Sequence, residues 1–131
     1  MQNKDFAIVI EDTFKACEHL LGAKNEEYSR DKDRLSNFKK AAKMQGTTAP
    51  KALKGMLVKH LVSVFDMIDD FDAGKFHTKD RWNEKVYDCI NYFVLLKCLI
   101  EEGNVTKIDK IDFVYNAEMA IPEPIKQKET A

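Results

Sequence analysis

Apolar residues recur at helical spacing through most of this chain, and the pattern breaks only at short polar or glycine-bearing stretches. The first run opens near Asn3, a suitable N-cap, with Asp5 in the first turn, where the helix dipole favours an anion. At about 100° per residue, Phe6, Ile10, Phe14, Cys17, Leu20 and Leu21 share one face, which the spacing predicts to be buried. Gly22 offers an end to this helix. One glycine costs only about 1 kcal/mol relative to alanine, however, and Ala23 to Glu27 are tolerable in a helix. If the helix continues, Lys24 and Tyr28 extend the apolar stripe and Glu27 lies at its border, which brings polar groups to the core side.

A charged connection, Ser29 to Asp33, precedes a second helix expected over Arg34 to Gln45. Its weaker stripe is Leu35, Phe38, Ala41 or Ala42, and Met44, and Gly46 stops it. Thr48 reads as the N-cap of a third helix, with Pro50 in the first turn, where a missing N–H does no harm. This helix is expected to reach Phe71 or Asp72, with Leu53, Met56, Leu57, Leu61, Val64, Met67, Ile68 and Phe71 as a broad core face. After a turn at Gly74, Thr78 caps a fourth helix running to about Glu102 and ending at Gly103. Arg81 stands where a capping box has an acid. Apolar residues nearly encircle this last helix, from Val86 and Tyr87 to Leu99 and Ile100, as in a helix that is central or covered by another subunit.

Beyond Asn104 the signals weaken. Ile111, Phe113 and Tyr115 alternate with period two, as in a short strand or a strap, and Pro122, Pro124 and the charged end read as a mobile tail. The expected fold is therefore all-α: a four-helix, bundle-like domain over residues 1–103, followed by a less regular C-terminal segment over 104–131.

Composition agrees with that reading. The chain has 131 residues, 44% of them hydrophobic and 33% charged, with 5 Gly and 3 Pro, which suits helices with solvated faces better than many short strands. The formal net charge of −1 lacks the basic excess of a nucleic-acid binder, so direct contact with nucleic acid is not expected. No run approaches the roughly 18 apolar residues of a membrane span, and no secretory leader pattern opens the chain, so the sequence reads as cytoplasmic. Cys17, Cys89 and Cys98 have no metal-type spacing and fall in apolar helical pattern, which makes them small buried hydrophobes.

Candidate chemistry lies mainly on the fourth helix. Glu84, Asp88 and Asn91 fall within about 60° of one another and run through apolar surface. Two carboxylates one turn apart can share a hard divalent cation such as Mg²⁺, with an amide oxygen beside them. The competing reading is a narrow solvated stripe in which Arg81 and Lys85 supply ordinary helical ion pairs. On the third helix His60 sits among core residues, either as a buried imidazole bonded to a neighbour or as a ligand contact. His19 and His77 lack such surroundings. The chain has no glycine-rich phosphate loop, no nucleophile elbow and no zinc-protease motif, so any phosphate chemistry must rest on acid-held Mg²⁺ with Lys or Asn side chains.

Two stretches carry a resemblance. The run Lys24-Asn25-Glu26-Glu27-Tyr28-Ser29, followed by Asn37-Phe38, resembles the K-N-x-D-Y-G … N-F signature of the first type of nucleotide modification associated domain, found mostly in phage and prophage proteins. The stretch from Trp82 to Tyr92 is similar to that family's E/D-x-x-x-D-x-x-N-Y helix. Glu27 stands where the family prefers Asp, and Ser29 where it prefers Gly. The layout also resembles, remotely, the MazG-type all-α nucleoside triphosphate pyrophosphohydrolases. Arg30 stands at the third acid of their E-E-x-x-E group, and Lys85 at the first position of an E-x-x-D ending at Asp88.

The resemblance implies a domain associated with nucleotide metabolism or modification that binds a nucleotide, with Mg²⁺ as cofactor and phosphohydrolysis as the activity if there is one. It groups Lys24, Asn25, Tyr28, Asn37, Asn91 and Tyr92 toward the ligand, and Glu27, Glu84 and Asp88 toward the metal; His60, read from its place on the core face of the third helix, joins the ligand candidates. The rival expectation is a non-catalytic interaction protein in which the apolar fourth helix is a homo-oligomer seam.

Overall fold

The computed structural model describes the backbone of residues 1–28 and 33–105, and the side chains of residues 1–22 and 33–103. Four helices account for nearly all of it: α1 (Asn3–Tyr28), α2 (Ser36–Gln45), α3 (Ala49–Asp72) and α4 (Lys79–Val105). No strand occurs among the described residues, so the fold is all-α. The chain divides into two compact units, Met1–Leu99 and Ile100–Ala131, with the division inside α4. The core and the candidate site belong to the first unit. The strap expected around Ile111, Phe113 and Tyr115 and the tail lie outside the described residues.

Local chemistry sets the helix ends. Asp33 Oδ1 accepts the Leu35 N–H at 2.9 Å and the Asp33 carbonyl accepts that of Ser36 at 3.2 Å. These bonds hold residues 33–35 as a turn, and α2 starts at Ser36 rather than at the expected Arg34. Arg34 instead reaches back, its Nη2 donating to the Leu21 carbonyl at 2.6 Å. Gly46 closes α2 in the left-handed region at φ 63°, and its N–H and that of Thr47 return to the carbonyls of Lys43 and Ala42. Thr48 Oγ1 accepts the Lys51 N–H at 3.3 Å, and Thr78 Oγ1 that of Arg81 at 3.2 Å, so both expected N-caps form. Helix α1 passes Gly22 and α4 passes Gly103 without stopping, because neither glycine takes the left-handed conformation of a C-cap.

The core gathers Leu35 and Phe38 from the α2 end, Leu53 and Leu57 from α3, and Leu99 from α4. Met56, Leu61, Tyr92, Leu95 and Leu96 pack around it, and Leu53 is entirely shielded. Three expectations about burial need correction. Met44 is 88% exposed, since it lies about half a circle round α2 from Leu35. The apolar face of α1 is real, but Phe6, Ile10 and Phe14 are exposed, Cys17 is buried, and Leu20 and Leu21 are half-buried. Ile68 and Phe71 near the end of α3, and Phe93 and Val94 on α4, are likewise exposed. All three cysteines are free thiols, with Cys17 and Cys89 buried but Cys98 exposed on α4.

Candidate functional site

The titratable and aromatic polar groups that enter the apolar packing together come from α3 and α4, while Ser36 is buried on α2. His60, on the core side of α3, faces Asp88 of α4 with Nδ1 3.6 Å from Oδ2, an ion-pair distance that is too long for a hydrogen bond. Their side chains keep only 19% and 13% of their surface. One turn further along α4, Tyr92 lies against His60 with ring centroids 4.9 Å apart and tilted by 35°, and meets the edge of Phe38 at 6.4 Å. Histidine, carboxylate and phenol thus form one cluster across two helices, braced from α2.

Asn91 stands between Asp88 and Tyr92 in the sequence of α4, on the same side of the helix. It is 5% exposed, and neither its Oδ1 nor its Nδ2 has a hydrogen-bond partner among the described residues. A buried polar group left unpaired costs about 1–3 kcal/mol, and native structures hold few of them. The carboxamide therefore presents an acceptor and a donor side by side, with no described group to meet them.

Glu84, one turn before Asp88, is set differently. It is about half exposed and pairs at 3.4 Å with Arg81, one turn away as in a solvated stripe, and at 3.4 Å with the adjacent Lys85. Among the described residues no three His, Cys, Asp or Glu side chains gather to hold a metal ion. The two carboxylates match the number with which a protein commonly holds Mg²⁺ beside substrate phosphates, but each already has a cationic or imidazole neighbour. Mg²⁺ at this position would displace Lys85 and Arg81 from Glu84 and loosen the His60 contact of Asp88. Burial pushes the neighbouring Cys89 thiol up, with the Asp88 charge adding to the effect and Lys85 opposing it, which disfavours the reactive thiolate.

Of the other sequence-derived candidates, Asn37 is exposed in the first turn of α2. Lys24, Asn25, Glu27 and Tyr28 lie on α1, and their side chains fall outside the described residues. The structure therefore joins His60, Asp88 and Tyr92, and places Asn91 on the same side of α4.

Two features escaped the sequence reading. His77 has a partner after all: its Nε2 donates to Asp70 Oδ2 at 2.7 Å across the turn that follows α3. An open apolar groove of about 540 Å³ runs between α3 and α4, bordered by Lys51, Lys54, Leu57, Leu61, Phe93 and Leu96, and none of the polar candidates lines it. No helix among the described residues is long and apolar enough to cross a membrane. Comparison with family models, with curated proteins and with solved structures gave no match to this chain.

Proposed function

We propose that this helical domain binds a nucleotide at the His60–Asp88–Asn91–Tyr92 cluster and serves nucleotide metabolism or modification. The observation that carries the reading is the buried, unpartnered carboxamide of Asn91. Its adjacent donor and acceptor complement the amide-like edge of a nucleobase, as Asn and Gln side chains do when they read bases. The nearly buried His60–Asp88 pair supplies a second polar anchor, and Tyr92, itself met by the edge of Phe38, lies against the imidazole. Glu84 and Asp88 are the residues that would carry Mg²⁺ toward the phosphates. The resemblance of the stretches from Lys24 to Phe38 and from Trp82 to Tyr92 to nucleotide-associated helical domains supports the same assignment.

The test is a thermal-shift panel of nucleoside mono- and triphosphates with and without Mg²⁺, on the wild type and on Asn91→Leu and Glu84→Gln. A bound nucleotide at about 100 times its Kd stabilises the fold by roughly 2.7 kcal/mol. Asn91→Leu removes an unpaired buried amide, so the free variant is expected to gain about 1–3 kcal/mol while losing the nucleotide shift. Glu84→Gln should abolish only the part of the shift that depends on Mg²⁺. A panel with no stabilising nucleotide, or a shift that survives Asn91→Leu, would sink the reading.

A further inference from the structure

The side of α3 turned away from the core carries a pattern that no other described element covers. Lys51, Lys54, Val58, Val62, Phe65, Asp69 and Asp72 fall within roughly 80° of arc at 100° per residue, and they are the only residues of α3 that do. All seven are exposed, with Val58 at 48%, Val62 at 50% and Phe65 at 58%. The stripe is basic at its start, apolar in the middle and acidic at its end. Among the described residues none of its four charged side chains makes an ion pair, although Lys and Asp elsewhere do.

The pattern is also symmetric. Lys51 and Asp72 are equally distant from the midpoint of Leu61 and Val62, as are Lys54 and Asp69, and as are Val58 and Phe65. A helix of this kind laid antiparallel on a copy of itself brings every lysine to an aspartate and every apolar residue to an apolar residue. A parallel arrangement sets like charges together at both ends. From Lys51 to Asp72 the stripe is about 32 Å long, enough for an extended helix–helix contact at the usual 8–10 Å between axes. Gly55 borders it, and a Cβ there would meet nothing within 4 Å. A helix-interior glycine is destabilising relative to alanine, with no return among the described residues, whereas it lets a second helix approach closely.

We infer that two copies of this chain associate through α3, antiparallel about a two-fold axis near Leu61 and Val62. The contact is isologous, so Lys51 and Lys54 of each copy meet Asp72 and Asp69 of the other. Phe65 packs over Val58 of the other copy at both ends of the apolar centre, and Val62 meets its own equivalent at the axis. The groove beside the stripe, with Phe93 on its far wall, gives the contact room to spread onto α4. The inference does not depend on nucleotide binding.

Sedimentation equilibrium on the full chain tests it, with circular dichroism to confirm that each variant is helical. The wild type is expected to be a dimer. Lys54→Glu and Asp69→Lys each place like charges in two symmetric contacts and should weaken the dimer about tenfold or more, and the double variant should recover to within about threefold. Val62→Cys in a Cys98→Ser background should form a disulfide-linked dimer under mild oxidation, because that position meets itself. A wild type that is monomeric up to about 100 μM overturns the proposal. So does a dimer indifferent to both charge reversals, or one lost with Phe93→Glu or Phe14→Glu but untouched by Phe65→Glu, which would place the seam on α4 or α1.

Discussion

At Asp70 the carboxylate accepts from His77 at 2.7 Å and lies 3.5 Å from the Lys75 ammonium. The hydrogen bond from His77, more than the lysine charge, holds its pKa below the ordinary carboxylate range. A depressed folded-state pKa adds stability that is fully present above the unfolded value of about 3.9 and is lost as pH falls through the folded value. Asp70→Asn should therefore melt below the wild type from about pH 5 to 6, and the two curves should converge as pH falls below about 4. A gap that persists at lower pH would mean that the carboxylate charge is not its source. The pairing was not legible in the sequence, because Asp70 and His77 belong to different segments and meet only because the turn at Gly74 reverses the chain. Asn91 is the opposite case: its place in an acid and amide line was legible, but its lack of partners required knowing what surrounds it.

Among the elements, those with ends written in local chemistry were read most accurately. Thr48 with Pro50, Thr78, and Gly46 each act through atoms within a few residues, so the starts of α3 and α4 and the stop of α2 fall where the sequence places them. The start of α2 falls later than the pattern implies because Asp33 commits its side chain to the Leu35 N–H and to Lys39, whose ammonium it holds at 2.6 Å. Ends that depend on a bare glycine were ambiguous, as Gly22 and Gly103 show. Two substitutions probe these signals by urea denaturation. Thr48→Ala removes the acceptor for Lys51 and should cost about 1 kcal/mol, and Gly46→Ala forces a Cβ into the left-handed region and should cost about 1–2 kcal/mol. Gly22→Ala, at a position with right-handed helical backbone and open space around it, should instead stabilise by up to about 1 kcal/mol.

For the molecule as a whole, periodicity told which faces are apolar but not what covers them. The stripes of α1, α3 and α4 are visible as patterns in the sequence, and the natural assumption that each faces a common core fails where Phe6, Phe14, Ile68, Phe71 and Phe93 remain open. The symmetry of α3 was equally present in the sequence, yet it acquires meaning only once the structure shows that side to be exposed. That symmetry has a consequence for recognition between unlike chains. A population carrying Lys54→Glu and another carrying Asp69→Lys each make a poor partner for themselves. In a mixture, the introduced glutamate of one chain meets the introduced lysine of the other, while the untouched Asp69 and Lys54 meet at the opposite end. Native mass spectrometry of the mixture should show the mixed pair dominating both parents, so a self-recognising helix becomes a two-chain code through one exchange of charge.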